Sequence, residues 1–412
     1  MPMEILAQNP ACNPACRACH YKDLSYLEQL QRKQEWTQAQ LSPWSNALLP
    51  IVPAPEGQRV NYRAKSWLRS RVVGGTLDLG MTKAVFMSPA ADSADRRPRW
   101  AEAFISWRTC PLHVSGLQQS IARLCEDLPA LAPHFVEHSL LGVWAGSPHL
   151  VLVSRDALPA ELTGVNWRPF VADPFDRVWF HQTSQVGRRV FGHSEIRQLA
   201  GPTDTAPSPI RAFRQVARGL LRDARESAVR YLLATTPAQV VDLYCGTGEL
   251  ADFLPSQTDW LGVELSQEAA AFAGAGRRVE NRPANRPENR AKERQAETEM
   301  SGKIDHHRAF VGTVEHRLRD ARFLAQVRDS YALFLNPPRP GLQDGGQASV
   351  GGLIDHRRPR AIAYLSCSPS SLARDLQFLG SLGFTVDSLQ PYDFLPQTEH
   401  VEVLALLSTS KS

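Results

Sequence analysis

A chain of 412 residues, 43% of them apolar, is long enough for two or three domains that each bury a core. Its net charge of +4, from 46 Lys and Arg against 42 Asp and Glu, permits a nucleic-acid partner without demanding one. No stretch approaches the roughly 18 uninterrupted apolar residues of a membrane-spanning helix. The opening Met1-Pro2-Met3-Glu4 also lacks a secretion signal, so a cytoplasmic protein away from the membrane is expected. In chain order, residues 1–22 are punctuated by Pro10 and Pro14 and read as a loop carrying Cys12, Cys16 and Cys19; a polar helix follows over about 24–40. From about 51 to 190 short apolar runs alternate with turns, as in Val72-Val73-Gly74-Gly75, Leu141-Gly142-Val143-Trp144 and His149-Leu150-Val151-Leu152-Val153. With one helix-like stretch over about 117–128, this predicts a mixed α+β domain rich in antiparallel strand.

The Gly- and Pro-rich stretch 201–209 reads as a linker. The helix expected over about 210–233 carries Arg211, Arg214, Arg218, Arg222, Arg225 and Arg230, either as a solvated amphipathic face or as an RNA contact. Beyond it, strands alternate with helices: Val240-Val241-Asp242, Trp260-Leu261-Gly262-Val263-Glu264, Ala332-Leu333-Phe334-Leu335, and further runs at 361–365 and 401–407. That alternation predicts an α/β, doubly wound, largely parallel sheet. Residues from about 277 to 308, with a repeated Asn-Arg-Pro and charges of both signs, read as a disordered surface insertion. The expected division is a cysteine segment over 1–40, a central domain over 41–200 and a Rossmann-like domain over 210–412.

In Asp242-Leu243-Tyr244-Cys245-Gly246-Thr247-Gly248-Glu249 a strand runs into a tight Gly-x-Gly turn. Gly246 and Gly248 there allow backbone to approach a ligand closely. Glu264, at the end of the next strand, stands where an acidic residue binds ribose hydroxyls. Glu249 replaces a third glycine, so a pyrophosphate is not the obvious ligand and S-adenosylmethionine fits better than NAD or ATP. A third strand ends in Asn336-Pro337-Pro338-Arg339.

Ser366-Cys367-Ser368-Pro369 is followed 35 residues after the cysteine by Glu402 in His400-Val401-Glu402-Val403. A thiolate, a proton acceptor and a methyl donor are what methylation of carbon 5 of uracil demands. Thiolate addition at carbon 6 makes carbon 5 nucleophilic, and a base then removes the carbon-5 proton so that the thiolate can leave. Taken alone, Cys367 reads more readily as a small buried hydrophobe than as a nucleophile, and Glu402 reads either way. The surrounding residues decide: Ser366-Cys367-Ser368-Pro369 with Leu372-Ala373-Arg374-Asp375-Leu376, His400-Val401-Glu402-Val403-Leu404, Leu335-Asn336-Pro337-Pro338-Arg339-Pro340-Gly341 and Phe180-His181-Gln182-Thr183 resemble motifs of the RNA uracil-5 methyltransferase family. The resemblance implies Cys367 as nucleophile, Glu402 as general base, and Gln182, Tyr244, Glu264 and Asn336 as S-adenosylmethionine ligands beside Gly246 and Gly248. Tyr244 stands where phenylalanine is commoner, and Thr313 roughly where an aspartate is expected near the adenine.

Cys12, Cys16 and Cys19 supply three thiols within one loop, and Cys110, before Pro111-Leu112, offers a fourth. Four thiolates suit tetrahedral zinc or a [4Fe–4S] cluster, and spacing does not separate them. Resemblance to the cluster-bearing branch of the family implies [4Fe–4S] in a structural role. By the same resemblance, the tRNA-modifying bacterial members match only the catalytic half and lack such a cluster. Other rRNA enzymes carry an extra N-terminal β-barrel, for which the 11 residues before Cys12 leave no room. The remaining branch modifies a uridine in the large-subunit rRNA. The expectation is therefore a monomeric 23S rRNA uracil-5 methyltransferase, with tRNA as the alternative substrate. An RNA-binding assembly protein with a decayed methyltransferase domain is the non-enzymatic alternative. Asn61-Tyr62-Arg63-Ala64-Lys65 resembles the family's RNA-facing strand.

Overall fold

The computed structural model describes residues 5–87, 99–131, 140–144, 149–154, 164–167, 177–182, 196–201, 218–266, 269–270, 272–273 and 307–409. The chain divides into two compact units, neither of them one continuous stretch. The first comprises Met1–Gln29, Ala54–Pro207 and Leu395–Glu399; the second comprises Leu30–Pro53, Ser208–Phe394 and His400–Ser412.

In the first unit, seven strands form one sheet in the order β3-β2-β1-β4-β5-β6-β7. They are β1 (Lys65–Val73), β2 (Thr76–Met87), β3 (Arg99–Ser106), β4 (Leu140–Trp144), β5 (His149–Ser154), β6 (Arg177–Gln182) and β7 (Ile196–Ala200). All neighbours are antiparallel except β5 and β6. Gly74 and Gly75, both at positive φ, close the β1–β2 hairpin with a twist that side-chain-bearing residues resist. Helix α2 (Ser115–Leu131) presents Leu117, Ile121, Leu124 and Leu128 at helical spacing; they share a core with Leu68, Leu77 and Leu79 of the sheet. Helix α1 (Tyr26–Gln40) opens on a capping box: Glu28 accepts from the Ser25 amide at 2.8 Å, and the Glu28 amide donates to Ser25 Oγ at 3.3 Å.

The second unit holds β8 (Gln239–Leu243), β9 (Asp259–Glu264), β10 (His307–Val311), β11 (Tyr331–Leu335), β12 (Ala361–Ser366), β13 (Phe384–Tyr392) and β14 (Glu402–Thr409). Their order is β10-β9-β8-β11-β12-β14-β13. The first five in that order run parallel, whereas β14 is antiparallel to both β12 and β13. Strands β8, β11 and β12 are buried at every position, which is why they read as largely apolar runs rather than alternating ones, with Gln239, Asp242 and Ser366 the buried polar exceptions. Helices α3 (Arg218–Leu233), α4 (Gln343–His356) and α5 (Pro369–Ser381) belong to this unit. Chain order reverses between β8 and β11, and ligands of open α/β sheets settle at such a point, beyond the carboxyl ends of the strands.

The doubly wound architecture and the strand-rich first unit agree with the sequence. Two strands do not: β13 was not expected, and β10 begins at His307, inside the stretch read as an insertion. The rest of that stretch, residues 202–209 of the linker and residues 210–217 of the arginine-rich helix lie outside the described residues. In the described part of that helix, Arg222 is exposed and pairs with Glu226 one turn on, and Arg225 pairs with Glu249. Among the described residues, no helix is long and apolar enough to cross a membrane.

Candidate active site

The sharp turn after β8 is built by backbone conformation. Tyr244, Gly246 and Gly248 all have positive φ (64°, 58° and 73°). The Glu264 carboxylate fastens the turn, accepting from the Gly246 amide at 3.0 Å and the Ser266 amide at 2.8 Å. A Cβ on Gly246 would meet nothing within 4 Å, so this side of the turn is open space. A Cβ on Gly248 would stand 2.9 Å from the Ala273 Cβ. Gly246 therefore faces a void and Gly248 a wall. The Asn336 amide donates to the Leu243 carbonyl at 3.2 Å, so Asn336 and the glycine turn flank the point of strand reversal. Tyr244 packs against the core and its hydroxyl lies beside α4, 3.3 Å from where a Gly346 Cβ would be; burial, then Glu315 and Asp375, push that phenol's pKa up. Gln182 ends β6 in the first unit, apart in the chain's division from the other cofactor candidates.

Cys367 follows β12, and Glu402 is the first residue of β14. The antiparallel register ends at Ser366–Val403, so one further step sets Cys367 opposite Glu402. Glu402 is buried, with 4% exposure. The Cys367 thiol has its pKa pushed up to about 11, by burial first and by the Glu402 charge second, with Arg339 acting in the opposite direction. Arg339 comes from the Asn-Pro-Pro-Arg segment and also donates from Nη2 to His400 Nε2 at 3.0 Å. One guanidinium thus reaches the thiol and the residue two before the carboxylate.

The loop carrying Arg339 is held by the fully buried Asp375 of α5. Its Oδ2 accepts from the Leu342 amide (2.9 Å) and the Tyr364 hydroxyl (2.6 Å), and its Oδ1 from Gln347 Nε2 (2.9 Å) and Arg374 Nη2 (3.0 Å). Arg374 Nη2 also donates to the Pro340 carbonyl, and Ser371 Oγ to the Arg339 carbonyl, both at 2.7 Å. Sequence reasoning gave Arg339, His400 and Asp375 no role beyond their motifs. The contacts of Arg339 with Ser371 and His400, and of Asp375 with Leu342, span 32 to 61 residues, and no local pattern announces them.

In the first unit, Cys12, Cys16, Cys19 and Cys110 line one recess together with Lys22 and Trp107. Asn9 and Asn13 turn the loop by accepting from the Ala11 and Ala15 amides, and Thr109 Oγ1 donates to the Ala11 carbonyl at 2.9 Å, joining the Cys110 turn to it. Lys22, buried, donates from Nζ to the carbonyls of Pro14 (2.9 Å) and Cys16 (3.0 Å). Burial pushes the Cys19 thiol up to about 12, reinforced by Cys110 and Cys16 and opposed by Arg63. Among the described residues, no three His, Cys, Asp or Glu side chains form a group that could hold a metal ion. Arg63 lies over the Trp107 ring, 5.3 Å from its centroid, and Tyr62 is buried. Of the stretch likened to an RNA-facing strand, only Lys65 enters β1.

A model of the tRNA (uracil-5-)-methyltransferase family matches residues 214–410. The matched segment carries Cys367, Glu402 and the glycine turn. The chain's similarity to relatives extends well beyond that segment. A 23S rRNA (uracil(1939)-C(5))-methyltransferase RlmD of Pseudomonas syringae pv. tomato is 27% identical over 98% of this chain and 81% of its own. A 23S rRNA (uracil(747)-C(5))-methyltransferase RlmC of Halothiobacillus neapolitanus is 26% identical over 95% of this chain and 96% of its own. Among solved structures, the Pyrococcus abyssi tRNA (uracil-54, C5)-methyltransferase in complex with S-adenosyl-L-homocysteine shares the fold. Its TM-score is 0.61 at 17% identity, covering 96% of this chain and 86% of that one.

Proposed function

We propose that the chain methylates carbon 5 of a uridine in 23S rRNA. The observation that carries this reading is the opposition of Cys367 and Glu402 on neighbouring strand ends, in the unit that also holds the open Gly246 turn. S-adenosylmethionine would supply an electrophilic methyl group. The turn after β8, opened by Tyr244 and carrying Gly246 and Gly248, would hold it together with Glu264 and Asn336. The Cys367 thiolate adds to carbon 6 of the uracil, carbon 5 takes the methyl, and Glu402 accepts the carbon-5 proton. The carbon–sulfur bond then breaks and the thiolate returns. Arg339, facing the thiol, favours the charged form that adds. A uridine in folded RNA must leave its stack to reach a thiol buried to this degree.

Cys12, Cys16, Cys19 and Cys110 would hold a [4Fe–4S] cluster whose role is structural. A single zinc, with Zn–S bonds of about 2.3 Å, would draw the sulfurs to about 3.8 Å of one another, whereas a cluster seats them around a larger body. That all four thiols line one recess supports a shared centre there, and the resemblance to the cluster-bearing branch favours iron–sulfur. So do two cations beside thiolates, Lys22 and Arg63, the latter with a buried Nε that has no hydrogen-bond partner among the described residues. The similarity to 23S rRNA enzymes over nearly the whole chain supports rRNA over tRNA.

The test is methyl transfer from labelled S-adenosylmethionine to rRNA and tRNA, followed by mapping of 5-methyluridine. Wild-type protein should label 23S rRNA. Cys367→Ala should be inactive yet still bind the cofactor, because the thiol acts on the base. Full activity in Cys367→Ala would sink the mechanism, labelling of tRNA alone would move the substrate, and no cofactor binding at all would leave only an RNA-binding protein.

A further inference from the structure

The segment Leu395–Glu399 lies just before the strand that carries Glu402, yet it belongs to the first unit. There it is gripped by the stretch of chain that follows the cysteines. Gln29, fully buried on α1, and Gln397 exchange two hydrogen bonds: Gln29 Nε2 donates to Gln397 Oε1, and the Gln397 amide donates to Gln29 Oε1, each at 2.9 Å. The same Nε2 donates to the carbonyls of Leu24 (3.0 Å) and Tyr21 (3.2 Å). The Tyr21 amide, two residues beyond Cys19, donates to the Gln397 carbonyl at 3.0 Å, and the Tyr62 hydroxyl to the Pro396 carbonyl at 3.0 Å. Gln397 has φ of +71°, which costs a residue with a side chain roughly 1–2 kcal/mol, so these partners hold a conformation the segment does not prefer.

Glu402 is the first residue of β14, paired with Tyr392 of β13 on one side and one step beyond the β12 ladder on the other. On the side facing Cys367, its placement therefore depends also on how the chain enters the strand. Gln397 precedes it by five residues, roughly 17–18 Å of extended chain at most. We propose that Gln29 is a positioning residue for Glu402. By fixing Gln397 it aims the entry to β14, so the segment after the cysteines governs proton removal rather than methyl transfer. This rests on the reading of Glu402 as the base.

The experiment separates the two steps. RNA carrying tritium at carbon 5 of uridine is reacted with methyl-labelled S-adenosylmethionine in a single turnover, with Gln29→Met, which keeps length and removes the hydrogen bonds. The methyl-transfer burst should stay within about twofold of wild type. Tritium release should slow by about 10- to 100-fold, the cost of a roughly 1 Å misplacement. A denaturation-resistant protein–RNA adduct should therefore accumulate. Tyr62→Phe, which removes one hydroxyl, should shift the same ratio in the same direction by less, and it decides the matter if Gln29→Met does not fold. A burst and a release that fall together, or a ratio unchanged in both variants, overturns the proposal. Glu402→Gln is the reference: if it traps adduct and neither positioning variant does, only this inference falls. If it traps none, the base assignment falls and takes the inference with it.

Discussion

Cys367 and Glu402 face each other one step beyond the last paired residues of β12 and β14, and the carboxylate works against ionisation of the thiol. With burial, this sets the thiol near 11, while Arg339 pulls it back. The signs give a prediction. Glu402→Gln removes a negative neighbour and should lower the thiol pKa; Arg339→Met removes a positive one and should raise it. Site-resolved alkylation of Cys367 against pH measures both. Wild-type reactivity should climb about tenfold per pH unit below the midpoint, since only the thiolate reacts. The same midpoint in all three proteins would show that neither charge acts on the sulfur.

Gly246 and Gly248 should fail differently when given a methyl group. Each has positive φ, so alanine at either costs roughly 1–2 kcal/mol of backbone strain. At 248 the new carbon also presses on Ala273 and on Trp260, 3.2 Å away, which adds roughly 1–3 kcal/mol of overpacking. At 246 it enters open space, where the cofactor is proposed to lie. Gly246→Ala should therefore lose affinity for S-adenosylhomocysteine, by calorimetric titration, with a modest loss of Tm. Gly248→Ala should lose more Tm. Undiminished affinity in Gly246→Ala would place the cofactor elsewhere.

Asp393 and Lys33 form a fully buried ion pair at 2.6 Å in the second unit. Burial lowers the Lys33 pKa, and Asp393 opposes that shift, so the lysine depends on its partner to stay charged. Asp393→Asn should destabilise by about 3–5 kcal/mol in urea unfolding, because a buried ammonium is left with a weaker partner. Adding Lys33→Met should recover much of that loss, since it removes the uncompensated charge. A loss under about 1 kcal/mol in Asp393→Asn would mean that water reaches the pair.

What the sequence made legible follows from how each feature is encoded. Strands β8, β11 and β12 lie inside the sheet, so their apolar runs announce them. Strand β13 lies at the edge beyond β14, mixes exposed and buried residues and contains Pro391, so its pattern is weak. Strand β10 borders the arginine-rich stretch and shows no fully buried position. In the site, Cys367, Glu402 and the glycine turn stood out because their local motifs are distinctive. Asp375 and Gln29 act through hydrogen bonds to distant residues, Gln29 across 368 positions, and a buried carboxamide has no sequence signature of its partner. The cysteine spacing was visible, but the flanking cations Lys22 and Arg63 emerge only when the loop is folded.

Cys110 is the one thiol of the four that does not come from the N-terminal loop, and its turn meets that loop through the Thr109–Ala11 hydrogen bond. Protein purified without oxygen should be brown and contain about four irons per chain, as a [4Fe–4S] centre with four thiolates requires. Cys110→Ser should lose iron and visible absorbance, and the loop should then become more sensitive to proteolysis, because a bond to a remote part of the first unit is gone. Methyl transfer should fall only as far as folding or RNA docking suffers, since addition by Cys367 needs no electron transfer. A colourless wild-type protein with one zinc would overturn the cluster but not the methyltransferase reading. Wild-type iron content in Cys110→Ser would remove Cys110 from the site, leaving three loop thiols to be completed by another ligand.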